Sequence, residues 1–193
     1  MKYDIQTFSI PTLIGISEKT IEEHLKLYEG YVKHTNLILE EIAVRNPETD
    51  AYAIAEMQRR FAFEFDGMRN HEYYFKAFEG GPQSISDGPL MQAIANTWGS
   101  FDAWLVRFKT MAKTRGVGWA ILYLDPQTNQ LLNAWIDEQH LGHLTGCTPI
   151  LALDMWEHSF VADYFPSGKG QYVEDFFANL NWNVVEENFK ATQ

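Results

Sequence analysis

Residues 153–160 read LDMWEHSF. Asp154 and His158 stand four residues apart, with Trp156 and Glu157 between them, directly after the apolar run TPILAL of residues 148–153. That run reads as a buried strand. A carboxylate and an imidazole at the end of a buried strand are costly unless something pairs with them, and a metal ion is one common partner.

Upstream, the apolar period switches from helix to strand. GWAILYL (118–124) reads as a strand, DPQTNQ (125–130) as a turn and LLNAWI (131–136) as its hairpin partner, with TPILAL as a third strand. Before them the spacing is helical. Residues 17–45 open on Ser17 as N-cap with Glu18 in the first turn, and Ile21, His24, Leu27, Tyr28 and Tyr31 fall on one face. Gly30 weakens the middle of this helix, where a kink or break is expected. A second helix over about 51–78 carries a stripe of Met57, Phe61, Phe65 or Glu64, Met68, His71, Phe75 and Phe78. The short NPETD link makes the two an antiparallel hairpin.

EGGPQSISDGP (79–89) is rich in Gly, Pro and Ser and divides the chain into 1–82 and 83–193. Two shorter helices, about Leu90–Trp98 and Phe101–Thr114, precede the strands, and residues 172–189 return to helical spacing. The class is α+β: a long antiparallel helical hairpin, then an α/β domain with a small three-stranded antiparallel sheet.

The chain has 193 residues, a net charge of −11 and 46% hydrophobic residues, enough for a packed core. No basic run suggests nucleic acid, and no apolar run approaches the roughly 20 residues that span a bilayer. The N-terminus lacks an apolar signal segment, so a cytoplasmic protein is expected. The single cysteine, Cys147, excludes an intramolecular disulfide and a cysteine-based zinc site, and it reads as a small core residue.

Of six histidines, His24 and His71 lie on facing stripes of the predicted hairpin. With Asp154 and His158 they make three imidazoles and one carboxylate, a set that suits iron, manganese, zinc or copper. Spacing alone leaves the choice of metal and of chemistry open.

LDMWEHSF resembles the D-x-W-E-H-x-[FY] motif of the iron/manganese superoxide dismutase family. GVGWAIL (116–122), NHEYYF (70–75) and NLNWNVVEENF (179–189) are similar to further segments of that family, in the same order, from about residue 15 to 189. The resemblance implies a metal between the two domains, held by His24, His71, Asp154 and His158. It implies dismutation of superoxide anion to dioxygen and hydrogen peroxide by one manganese or iron ion cycling between the +3 and +2 states. That cycle excludes zinc and calcium. Gln139 matches the family's solvent-binding glutamine, and Tyr31 its gateway tyrosine. Gly67 stands at the family's alternative glutamine position, which leans toward manganese while leaving either metal acceptable. Tyr28, Trp119 and Trp156 would surround the ligands, and Glu157 would pair with the partner subunit's copy of His158 across a homodimer, with a tetramer as the larger option.

The chain also departs from the pattern. Tyr31 follows His24 one residue sooner than usual, which a regular helix accommodates. Val161 replaces a tyrosine that crosses the dimer, and Tyr28 replaces a histidine. The arginine at the substrate entrance is missing from DYFPSGKGQY (163–172), leaving Lys169 as the candidate cation. His140 and His143 read as surface or interfacial residues. The competing readings are a metal-dependent oxidase on the same ligands and a non-catalytic interaction module.

Overall fold

The computed structural model describes residues 2–192; the outermost residues of the two expected domains, 1 and 193, lie outside it. Ser17 is extended and its hydroxyl accepts from Thr20 N at 3.2 Å, capping α1 (Glu18–Val44). The helix runs unbroken through Gly30, against the expected kink. The penalty of about 1 kcal/mol for a helix-interior glycine is outweighed because tertiary packing along the face, not propensity, stabilises the helix. That face consists of Thr20, Ile21, His24, Tyr28, Val32, Thr35, Asn36 and Ile38. Leu27 was expected on it, but it lies at the stripe's edge and is 43% exposed.

A turn over 46–50, closed by Asp50 N donating to Asn46 O at 2.8 Å, leads into α2 (Ala51–Lys76). The facing pairs Tyr28–Glu72, Tyr31–Gly67 and His34–Glu64 run in opposite directions, so the hairpin is antiparallel. Burial in α2 is concentrated in its second half, where Gly67, Met68, Asn70, His71, Tyr74 and Phe75 meet the sheet. Met57, Phe61 and Phe65 are only half-buried.

Next come α3 (Pro89–Trp98) and α4 (Phe101–Ala112), then β1 (Gly118–Asp125), β2 (Gln130–Asp137) and β3 (Thr148–Asp154). The sheet order is β2-β1-β3 with both pairings antiparallel. The buried central strand puts Trp119 opposite Asp154. Pro149 lies on β3, an edge strand, where a missing N–H is tolerated. Gly118 has φ +156, and a Cβ there would collide with the Ile136 carbonyl oxygen, so the glycine of GVGWAIL is required for the β1–β2 pairing.

After β3 a 3-10 turn (Glu157–Ser159) and α5 (Val161–Tyr164) lead to α6 (Lys169–Asn179) and α7 (Trp182–Lys190). The helical stretch expected over 172–189 is divided between α6 and α7. Leu180 is extended, its carbonyl accepts from Gln83 N at 3.0 Å, and the Asn181 side chain caps α7. The break lets the tail pair with the segment that links the two halves of the chain. β3 packs on α2, so the strand ending in Asp154 arrives beside His71.

Candidate metal centre

Each ligand candidate comes from a different local cause. His24 is on the buried stripe of α1, His71 on that of α2, Asp154 ends β3 and His158 sits in the 3-10 turn that follows. Their ligand atoms all lie within 4.8 Å of one another, close enough for one ion with ligand bonds of about 2 Å. Asp154 Oδ2 faces all three imidazoles, at 3.0 Å from His24 Nε2, 3.2 Å from His158 Nε2 and 3.5 Å from His71 Nε2. Its other oxygen accepts from Trp156 N at 2.8 Å, which orients the carboxylate. The Asp154 carbonyl accepts from Tyr172 and Ser159, so the end of the strand is held as well.

The donor set fits a divalent or trivalent ion. His71 Nδ1 donates to the Gly67 carbonyl at 2.6 Å, so Nε2 carries the lone pair. That nitrogen is fully buried and has no hydrogen-bond partner. Burial, reinforced by His24, pushes the His71 pKa down to about 3, and burial likewise lowers that of His24. Both are neutral at physiological pH, as ligation requires. Burial works to raise Asp154, but the His158 and His24 imidazoles outweigh it and hold the carboxyl well below its usual range. A buried lone pair without a hydrogen-bond partner, beside a carboxylate, is a donor set that fits a cation.

Around the ligands the polar groups are oriented unambiguously. Gln139 is fully buried. Trp119 Nε1 can only donate, and it does so to Gln139 Oε1 at 2.8 Å. The amide nitrogen therefore faces Tyr31 and donates to its hydroxyl at 3.0 Å. The Tyr31 ring packs on His71 with centroids 5.1 Å apart, and Trp119 meets His71 edge-on at 5.0 Å. Trp156 stacks on His158 at 5.8 Å and anchors its indole to the Glu138 carbonyl. α1 is regular α-helix at Tyr31, so its early position still brings the phenol to Gln139.

Other expectations land elsewhere. Tyr28 is buried, but its hydroxyl accepts from Gln6 N and donates to Glu72; its ring and that of His24 both pack on Phe75. Lys169 Nζ donates to the Thr114 carbonyl at 2.7 Å and stands 5.5 Å from the centre of the Trp135 ring, and burial lowers its pKa. Cys147 is half-buried in the loop before β3 and packs against the edge of the core. Glu157 is exposed and has no ion-pair partner among the described residues. His143 is no plain surface residue, since it bonds Tyr123 and the Gln139 carbonyl.

Two further residues escaped the sequence reading. Asn70 donates to the Gln139 carbonyl at 3.0 Å, and only its place beside His71 hinted at a role. The Arg60 guanidinium covers the Phe63 ring, which packs on Tyr31, while its charge is paired with the buried Glu64. No local motif marked it.

Residues 86–188 match the model of the family described as iron/manganese superoxide dismutases, C-terminal domain. The chain is 34% identical over 183 residues to a superoxide dismutase [Fe] of Cupriavidus metallidurans, covering 93% of this chain and 91% of that one. It is 34% identical over 171 residues to superoxide dismutase [Mn] 2 of Haloferax volcanii (87% and 84% covered), and 32% over 185 to a superoxide dismutase [Fe] of Aquifex pyrophilus (92% and 86%). The matched stretch contains β1, the Gln139 turn and the Asp154–His158 segment, and the longer alignments extend over most of the helical hairpin as well. With the fold, the four-residue cluster and these likenesses in agreement, the chain belongs to the iron/manganese superoxide dismutases.

Proposed function

We propose that this protein disproportionates superoxide into dioxygen and hydrogen peroxide at a centre formed by His24, His71, Asp154 and His158. The observation that carries this reading is the unpartnered, fully buried His71 Nε2 beside the Asp154 carboxylate. Bound manganese or iron supplies one-electron exchange between its +3 and +2 states.

The chain's own residues supply orientation and protons. Burial raises the Tyr31 phenol well above its ordinary pKa, so its oxygen keeps its proton. Because that oxygen accepts from Gln139 Nε2–H, its own O–H is left to donate toward the substrate side. Gln139 is in turn locked by Trp119. Three histidines and one aspartate around a single ion leave little room for a bulky organic substrate, which disfavours an oxidase. A complete ligand set disfavours a non-catalytic module.

Four finer readings go with it. Manganese is favoured over iron, on the Gly67 and Gln139 arrangement. The chain works as a homodimer, with Glu157 reaching the partner subunit's His158; the exposed, unpaired state of Glu157 supports this. The domains divide at residues 82 and 83, consistent with the family match starting at residue 86. The location is cytoplasmic; among the described residues no helix is long and apolar enough to cross a membrane.

The test is reconstitution. Protein loaded separately with manganese and with iron should hold about one ion per chain and remove superoxide with at least one of them. A folded protein that binds neither ion, or binds and leaves superoxide untouched, defeats the proposal.

A further inference from the structure

Gln139 stands at the tip of a tight turn in which Asp137 and Leu141 exchange both backbone bonds, at 2.9 and 3.1 Å, and Glu138 is left-handed with φ 53. The Gln139 carbonyl accepts from Asn70 Nδ2 at 3.0 Å and from His143 Nε2 at 3.2 Å. His143 Nε2 also lies 3.4 Å from Asn70 Nδ2, but its contact with the carbonyl is shorter and Asn70 already donates to that carbonyl; a carbonyl oxygen can only accept, so we assign the imidazole proton to His143 Nε2. Nδ1 is then the acceptor, and the Tyr123 hydroxyl donates to it at 2.5 Å. The direction of each bond follows: Tyr123 to His143, and His143 to the Gln139 carbonyl. Asp66 Oδ2 lies 4.0 Å from His143 Nε2, too far to compete.

Strand β1 thus holds Gln139 at both ends. Trp119 binds its side-chain oxygen directly, and Tyr123 binds its main chain through His143. Asn70, one residue before His71, ties the same carbonyl to α2. The imidazole lines a cleft of about 280 Å³ shared with Tyr123 and Asp66, so removing it admits water to this side of the turn.

We infer that His143 is a positioning residue of the redox centre. It acts through the Gln139 main chain, setting where the Gln139 amide stands relative to Tyr31 and the metal ligands, and thereby tunes the potential of the bound ion. Partners one layer beyond the ligands typically change affinity or activity 10- to 100-fold. The inference rests on the proposed redox function, and its test has one arm that does not.

The experiment compares wild type with His143→Ala, His143→Gln, His143→Asn and Tyr123→Phe. In metal-free protein, hydrogen exchange of the Trp119 indole N–H reports whether Gln139 Oε1 is still held. In metal-loaded protein, the midpoint potential of the ion is measured together with metal content. His143→Ala and His143→Asn should speed indole exchange on the order of 10-fold and shift the potential at unchanged metal content. His143→Gln keeps a donor at the Nε2 position and should restore both values, whereas a merely structural role would not separate Gln from Asn. Tyr123→Phe should shift both in the same direction by less, and it decides the matter if the His143 variants fail to fold. Unchanged exchange and potential in the folded variants overturn the inference. If wild type binds no redox metal, the proposed function fails while the indole arm still tests the clamp.

Discussion

Gly67 and Tyr31 share one space. A Cβ on Gly67 would lie 2.6 Å from Tyr31 Cδ1, inside van der Waals contact. The glycine is therefore the reason the Tyr31 ring can lie on His71 and reach Gln139. A glutamine could not sit at position 67 with Tyr31 in this place, so the solvent-facing amide has to come from Gln139.

Gly67→Ala follows from that geometry. In an open helix the change would stabilise by about 1 kcal/mol. Here overpacking should outweigh it, at about 1–3 kcal/mol, or else displace the tyrosine. The expected outcome is a lower urea midpoint, or a reduced superoxide-removal rate per bound ion with metal content retained. An alanine variant that is more stable and equally active would show that the phenol does not need its present position.

Metal removal should cost stability, because the ion binds only the native arrangement of three separated segments. At an ion concentration 1,000 times the dissociation constant, binding contributes about 4 kcal/mol. For a chain of this size that is on the order of 10 °C in unfolding temperature. Chelation of the loaded protein should produce such a drop in a thermal melt. His158→Ala should abolish metal uptake and show no drop, whereas His140→Ala should behave as wild type.

The legible parts of this fold were those with local causes. Ser17, the alternation through GWAILYL and the turn residues at 125–130 each act within a few positions, and the elements stand where those cues put them. The cluster of four was legible because His24 and His71 lie on apolar stripes and Asp154 and His158 close a buried strand. Leu27 and Gly30 misled because a helix long enough to pack against a partner tolerates one poor residue and one off-stripe apolar one. The break at Leu180–Asn181 depends on pairing with Gln83, about a hundred positions earlier in the chain. Lys169 bonding to Thr114, and His143 bonding to Tyr123 and Gln139, are likewise contacts that only the folded chain creates.

Gln139→Ala separates metal binding from turnover. Gln139 touches no ligand atom by hydrogen bond among the described residues; its side chain links Trp119 to Tyr31. Its removal should leave metal content near that of wild type and reduce the rate per ion on the order of 10- to 100-fold. Trp119→Phe should give a smaller loss, since it frees Gln139 Oε1 but leaves the amide in place. Full activity in Gln139→Ala would remove this residue from the proton path.

Glu157 decides whether the site is completed by a second copy. Its carboxylate is exposed, unpaired and one residue from His158, whose side chain is itself 22% exposed. An exposed carboxylate facing solvent contributes little, and its loss from a monomer should be nearly silent. Across a dimer, the same carboxylate would be desolvated against an imidazole, where breaking a charge-assisted bond costs about 2–5 kcal/mol. Glu157→Ala should therefore weaken self-association by at least about tenfold in sedimentation and lower the retention of metal, because the partner subunit's His158 loses its orientation. Identical sedimentation and metal content in wild type and Glu157→Ala would rule out this contact as the link between subunits.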